Sequence, residues 1–160
     1  MRIGVVSDTH GSIEHTRPAI RMLESLEVEA VLHCGDIGST DIVELFAPWP
    51  THFVFGNCDY DHADLRRAID AAGQTCHGLF GAIDLAGVRI ALLHSHERTR
   101  FRETIDSGDY RLVCYGHTHV AKEETVGDTL VLNPGALYRA NPHTIAIVDL
   151  ISVQSTLIEV

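Results

Sequence analysis

The stretch Arg2-Ile3-Gly4-Val5-Val6-Ser7-Asp8-Thr9-His10-Gly11 is an apolar, β-branched run that ends abruptly in polar residues. Arg2–Ser7 has the length and composition of a buried strand, and Asp8-Thr9-His10-Gly11 those of a turn. Four more stretches repeat the form. Ala30–Cys34 runs into Gly35-Asp36, and Thr51–Phe55 into Gly56-Asn57-Cys58-Asp59. Val88–Leu93 runs into His94-Ser95-His96, and Leu112–Tyr115 into Gly116-His117-Thr118-His119. Residues just past the carboxyl ends of neighbouring strands in an open α/β sheet converge on one crevice. Strand alternation also aims Asp8 with His10, His94 with His96, and His117 with His119, each pair to one side of an extended segment.

The segments between these strands have helical spacing in the first half of the chain. His15–Leu26 carries Ile20, Leu23 and Leu26 on one face, with Pro18 tolerable near its start. Thr40 caps a helix that runs to Phe46 and stops before Pro48, and Ala63–Ala72 ends at Gly73. The second half turns to hairpins. Gly81–Leu85 and Val88–Leu93 flank Ala86-Gly87, while Lys122–Val126 and Thr129–Leu132 flank Gly127-Asp128. A polar helix spans Glu97 to Asp106, and Thr144–Asp149 with Val153–Glu159 form a last strand pair. Strand-helix alternation followed by hairpins predicts a layered α/β sandwich of two packed sheets with helices outside. At 160 residues, without repeats or a linker-like stretch, a single domain over 1–160 is expected.

Composition narrows the function classes. No stretch approaches the roughly 18 uninterrupted apolar residues of a membrane span, and the N-terminus lacks a signal-peptide layout, so a cytoplasmic location is expected. The net charge of −10 repels nucleic-acid polymers and anionic membranes, so an anionic substrate needs a local source of positive charge. Bound divalent cations are such a source. Cys34 and Cys114 end apolar runs and read as small buried hydrophobes, and Cys58 in its polar loop has no assigned role. A disulfide framework is not expected.

The donor types carry the chemistry. Carboxylate, imidazole and amide oxygen without thiolate suit Mn²⁺, Ni²⁺, Fe²⁺ or Zn²⁺. Asp8, His10, Asp36, Asn57, His94, His117 and His119 are more donors than one tetrahedral zinc needs. Two ions sharing a carboxylate use them all, and such pairs clamp both oxygens of a phosphoryl displacement. Singly, Asp-x-His or Gly-Asp is better explained as a turn with a capping side chain, whereas Gly-His-Thr-His is a stronger sign of ligation, since two histidines at a strand end are costly to bury unpaired. Five such clusters at strand ends, in one order, are not explained by packing.

That ordered set, together with Asn133-Pro134-Gly135, resembles the calcineurin-like metallophosphoesterase superfamily, and within it the small uncapped branch of prokaryotic phosphodiesterases. The likeness runs from Ile3 to about Asp149. It implies a four-layer αββα sandwich of two mixed β-sheets flanked by helices, with a dinuclear metal site at the sheet rim. By the same resemblance one metal takes Asp8, His10 and His119, the other Asn57, His94 and His117, and Asp36 bridges them. The nucleophile is then a hydroxide held between two ions, with manganese the first expectation. Three positions depart from the family pattern. Cys58-Asp59 stands where many relatives have an acid histidine after the asparagine, Ser95 where glycine separates the two histidines, and Ala136 where serine follows Asn-Pro-Gly. If position 95 needs φ > 0, serine is strained there. His96 is a candidate for substrate contact and for the missing acid, with a structural histidine the alternative; Asp59 could orient a ligand or accept a proton but reads better as a solvated loop carboxylate. Arg98, Arg100, Arg102 and Arg139 are candidates for phosphate contact, but each reads better as a solvated surface arginine.

The expected function is therefore metal-dependent hydrolysis of phosphate esters, foremost phosphodiesters, with Asp36, Asn57 and His96 in catalytic roles and Asn57 and His96 meeting the substrate. A nucleotide or dinucleotide phosphatase and a non-catalytic scaffold of the same fold are the alternatives. The partner is a small phosphate ester, with no membrane, no nucleic-acid polymer and a homo-oligomer allowed.

Overall fold

The computed structural model describes residues 1–160. From the N-terminus the elements are β1 (Arg2–Val6), α1 (Ile13–Ser25), β2 (Ala30–His33), α2 (Thr40–Leu45), β3 (Thr51–Phe53), α3 (His62–Ala71) and β4 (Thr75–Cys76). Then follow β5 (Phe80–Leu85), β6 (Val88–Leu93), α4 (Arg98–Asp106), β7 (Leu112–Cys114), β8 (Lys122–Val126), β9 (Thr129–Asn133), β10 (Thr144–Asp149) and β11 (Gln154–Glu159). They form a six-stranded sheet ordered β11-β10-β1-β2-β3-β4 and a five-stranded sheet ordered β5-β6-β7-β9-β8. Both sheets are mixed. β1 to β4 run parallel while β10 is antiparallel to β1, and β6, β7 and β9 run parallel between two antiparallel hairpin partners.

Three apolar clusters divide the molecule into four layers. Ile3, Val5, Leu32 and Val148 of the first sheet pack against Ile90, Leu92, Leu112 and Leu132 of the second, as the inner core. The other face of the first sheet meets α1, α2 and α3 through Leu23, Ile42, Phe46 and Leu65. The outer face of the second sheet is covered by α4, whose Phe101 and Ile105 lie on Leu93, Val113 and Val131. Strands β1, β2, β6 and β7 are covered on both faces, which is why they read as continuous apolar runs. The expected αββα sandwich is the observed fold.

Element ends differ from the sequence expectation for local reasons. α1 starts at Ile13, and Ser12 at its N-cap bonds the His15 ring at 2.7 Å instead of capping a backbone N–H. Ser39, not Thr40, holds the N-cap of α2, without a side-chain cap bond. Asp61 does cap α3, accepting from the Asp64 N–H at 2.9 Å. Strand β4 was not expected; it is two residues long and exists only through its pairing with β3. Cys34 and Cys114 are fully buried, and burial pushes both thiols well above the ordinary thiol range. No helix is long and apolar enough to cross a membrane.

Candidate metal centre

The parallel strands β1, β2 and β3 of one sheet and β6 and β7 of the other point their carboxyl ends to the same rim, and the polar clusters follow there. The local backbone is not extended. Asp8, His10, Asp36, His117 and His119 have φ of 54°, 45°, 54°, 81° and 58°. Strand alternation therefore does not aim these pairs: tight turns in the left-handed region do. Ser95 also has positive φ, 70°, and its hydroxyl donates to the Gly116 carbonyl at 2.9 Å. Such conformations are costly for residues other than glycine and concentrate at functional sites. The flanking glycines allow close approach. A Cβ at Gly56 would overlap Asp36 Oδ1, and one at Gly116 would overlap Ser7 Oγ and stand 2.8 Å from Asp8 Oδ2.

Each carboxylate has one oxygen tied down and the other free. Asp8 Oδ2 accepts from Ser7 Oγ at 2.6 Å and the His117 N–H at 3.1 Å. Its Oδ1 is buried without a hydrogen-bond partner, 3.1 Å from His119 Nε2, 3.8 Å from His10 Nε2 and 3.9 Å from His94 Nε2. Asp36 Oδ1 accepts the Cys58 N–H at 2.8 Å, while Oδ2 stands 3.2 Å from His94 Nε2 and 3.5 Å from His10 Nε2. The 3.2 Å approach is off the line of a hydrogen bond, so His94 Nε2 is also buried without a partner. Its Nδ1 donates to the Cys34 carbonyl at 2.7 Å, and His119 Nδ1 lies 3.3 Å from the Arg139 carbonyl. Imidazoles held by a backbone carbonyl at Nδ1 present the Nε2 lone pair inward, as metal-ligating histidines do. His10 Nε2 and His119 Nε2 lie 3.3 Å apart.

Buried lone pairs facing one another are unfavourable unless a cation or proton lies among them. Asp8, His10 and His119 form one compact donor group, and Asp8, Asp36 and His94 another. Burial alone pushes the Asp36 carboxyl up, but His94, the Cys58 N–H and His10 outweigh it and hold the pKa below the ordinary carboxylate range. Burial lowers His94, yet Asp36 and Asp8 prevail and raise it. Burial is the largest cause lowering His10, His96 and His117. The donor set fits divalent metal.

Asn57 and His117 stand at the rim. Both are exposed; the Asn57 amide donates to Cys58 Sγ at 3.4 Å, and the His117 ring lies 5.2 Å from that of His94. His96 is half-buried with its Nδ1 unpartnered, its ring 5.6 Å from His94 and 6.3 Å from His117. One expectation is overturned. Asp59 is buried, not solvated: its carboxylate accepts from the N–H groups of Ile37, Gly38 and Gly56 at 3.2, 2.9 and 2.8 Å. It staples the loops after β2 and β3, and its position three residues after Gly56 was the available sign of a side chain folding back on its own turn. His33, given no role from the sequence, is fully buried and bonds Thr9 Oγ1 at 3.0 Å, which in turn donates to the Ile37 carbonyl.

A double-sheet sandwich with carboxylates and imidazoles gathered at its rim defines the class, an α/β metalloprotein. The sequence model of the calcineurin-like phosphoesterase superfamily domain matches residues 1–153, and the chain belongs to that superfamily. It is 32% identical over 154 residues to Phosphodiesterase MJ0936 of Methanocaldococcus jannaschii, covering 93% of each chain. It is 28% identical over 141 residues to the probable metallophosphoesterase YsnB of Bacillus subtilis, covering 86% of this chain and 75% of that one. The solved structure of an archaeal phosphodiesterase matches over the whole of both chains with a TM-score of 0.92 at 30% identity. Vps29 of Entamoeba histolytica shares the fold, with a TM-score of 0.72 at 18% identity over 100% of this chain and 99% of its own.

Proposed function

We propose that this protein is a phosphodiesterase that works with two divalent cations on small phosphate esters in the cytoplasm, manganese being the first expectation. The observation that supports it most is the pair of free carboxylate oxygens, Asp8 Oδ1 and Asp36 Oδ2, each facing imidazole Nε2 atoms across 3–4 Å. Asp8, His10 and His119 would hold one ion, Asn57, His94 and His117 the other, and Asp36 would serve both. Divalent ions supply Lewis acidity there, neutralising charge on phosphoryl oxygens and making water nucleophilic at neutral pH.

The chain's own groups hold, orient and limit the chemistry. Ser7 and the His117 and Cys58 N–H groups fix the two carboxylates by hydrogen bonds to their outer oxygens. The exposed Asn57 amide, held only by a weak bond to sulfur, is free to meet a phosphoryl oxygen, and His96, whose ring lies 5.6 Å from that of His94, is the second candidate contact. No strong acid follows Asn57. The Asp59 carboxylate is occupied by three backbone donors, and burial together with Asp36 raises the Cys58 thiol. Esters whose alcohol is itself acidic are therefore the suitable probes.

Protein stripped of metal and reloaded with Mn²⁺ should hydrolyse bis(p-nitrophenyl) phosphate. Asp36→Asn should lower kcat by at least about 10²-fold, more than Asn57→Ala, because Asp36 serves both ions. Turnover by Asp36→Asn equal to that of the wild type, with metal content confirmed, rules out the shared-carboxylate assignment.

A further inference from the structure

The polar loop after β6 leads straight into α4, whose first residues are Arg98-Thr99-Arg100-Phe101-Arg102. The first turn contains no acidic side chain. A helix N-terminus carries partial positive charge and favours carboxylates, so this placement of arginines opposes the dipole. Arg98 and Arg102 are four residues apart, share a face and repel one another. Arg100 is paired with Glu97 at 2.5 Å, whereas the basic side chains in ion pairs elsewhere are Arg67 and Lys122. Arg98 and Arg102, like most arginines of the chain, have no such partner, and they alone of these stand among the first residues of α4. An arrangement that costs helix stability and leaves two guanidinium groups unpaired is suited to an anion that arrives from outside.

Both arginines line a cavity of about 440 Å³ that extends to Ser95 and His117 at the metal centre. That volume is within the range of small-molecule sites. Lys122, the single lysine, also lines it but is bound to Glu124 at 2.7 Å, and Asp106 is the remaining carboxylate of the wall. The walls thus carry three positive and two negative side chains beside His117, in a molecule whose net charge is −10. Phe101 and Tyr115, ring centroids 4.6 Å apart, supply apolar wall area. Guanidinium forks match phosphate oxygens in geometry and charge, and aromatic walls suit an organic body.

We infer that this groove is a second anion subsite: it takes a further phosphate group carried by the ester whose scissile phosphate lies at the metal centre. The inference rests on the phosphodiesterase reading and narrows its substrates to organic phosphate esters bearing a second phosphate. Arg98 and Arg102 bind that phosphate, while Phe101 and Tyr115 flank the connecting organic group.

Titration calorimetry on Mn²⁺-reloaded protein tests it with thymidine 3′,5′-bisphosphate, thymidine 5′-phosphate and inorganic phosphate. The wild type should bind the bisphosphate about tenfold or more tightly than the monophosphate, the size expected for a charge-assisted contact. Arg98→Ala/Arg102→Ala should bring that ratio close to one with metal content unchanged, and Arg100→Ala, which removes a paired arginine, should preserve it. Equal affinities in the wild type, or a preference that survives in the double variant, overturn the subsite. So does a double variant that loses affinity for inorganic phosphate as strongly as for the bisphosphate, which makes the groove a site for the free ion. Hydrolysis of bis(p-nitrophenyl) phosphate by the wild type reads the phosphodiesterase assignment separately, since that ester has no second phosphate.

Discussion

Asp8, His10, Asp36, Ser95, His117 and His119 all adopt positive φ, a conformation that costs a non-glycine residue roughly 1–2 kcal/mol. Six such residues around one rim need a surrounding structure that over-determines them, and Asp59 is part of it. Its buried carboxylate satisfies three backbone N–H groups from two loops, those of Ile37, Gly38 and Gly56. Asp59→Ala leaves these donors unpaired, and we expect it to destabilise the protein by about 3–5 kcal/mol, since breaking buried charged contacts costs that much. Urea unfolding measures this; a loss below about 1 kcal/mol would mean that water replaces the carboxylate. The candidate ligands themselves were legible because each is a donor type placed directly after an apolar run. The staple was not, because sequence spacing shows that Asp59 lies in a turn but not that the loop after β2 folds over it. The positive φ values were equally hidden, except at Ser95, where a serine in a glycine's place pointed to one.

Strands were read well where both faces are covered, as in β1, β2, β6 and β7, because burial on two sides leaves little room for polar residues. Helix starts were read less well. Ser12 and Ser39 occupy N-cap positions without capping, so residue type there does not mark the boundary. The two-residue β4 carries no pattern of its own. Hairpins were legible from their turn pairs, and the two differ in kind. Gly127 alone has positive φ in Gly127-Asp128, as a type II′ turn requires, whereas Ala86 and Gly87 are both positive, at 50° and 79°, as in type I′. Alanine is a poor first residue for a type I′ turn, and asparagine is favoured there. Ala86 is exposed and joins β5 to β6. Ala86→Asn should raise stability by about 0.5–1 kcal/mol without affecting the centre. Thermal unfolding tests this, and a lower melting temperature would show that the side chain, not the backbone, decides the turn.

On the scale of the whole molecule, acid acts in two opposing ways. Protonation reduces the self-repulsion of a chain with net charge −10, which favours the folded state. Buried neutral imidazoles oppose it. His33, enclosed by Phe46 and Phe53, is pushed down to about 3 by burial, and burial with His77 lowers His52 to about 4. Their ordinary value is 6.5. Between that value and the folded one the unfolded chain binds more protons, so stability is complete above pH 6.5 and falls as pH drops toward 3. Each such group contributes a slope approaching 1.4 kcal/mol per pH unit, which outweighs diffuse surface repulsion at ordinary ionic strength. Metal-free protein should therefore lose stability on acidification from pH 6.5 to 4, and His33→Gln should show a shallower slope by about 1 kcal/mol per pH unit. Equal slopes in urea titrations would mean that His33 is protonated in the folded protein. Asp8 and Asp36 follow strands of the first sheet, while His94, His117 and His119 follow strands of the second. Under the proposed ligand set, each ion takes donors from both, and so ties the sheets across the inner core at the rim. Free metal at a hundred times its dissociation constant adds about 2.7 kcal/mol to the folded state. For a chain of this size that corresponds to a rise in Tm of roughly 5–10 °C. Scanning calorimetry of stripped and Mn²⁺-reloaded protein should show this rise, and Asp8→Asn should lose most of it. If two ions bind per chain yet Tm does not move, the ions are not held by the folded arrangement of these donors, and the assignment of ligands to both sheets is wrong.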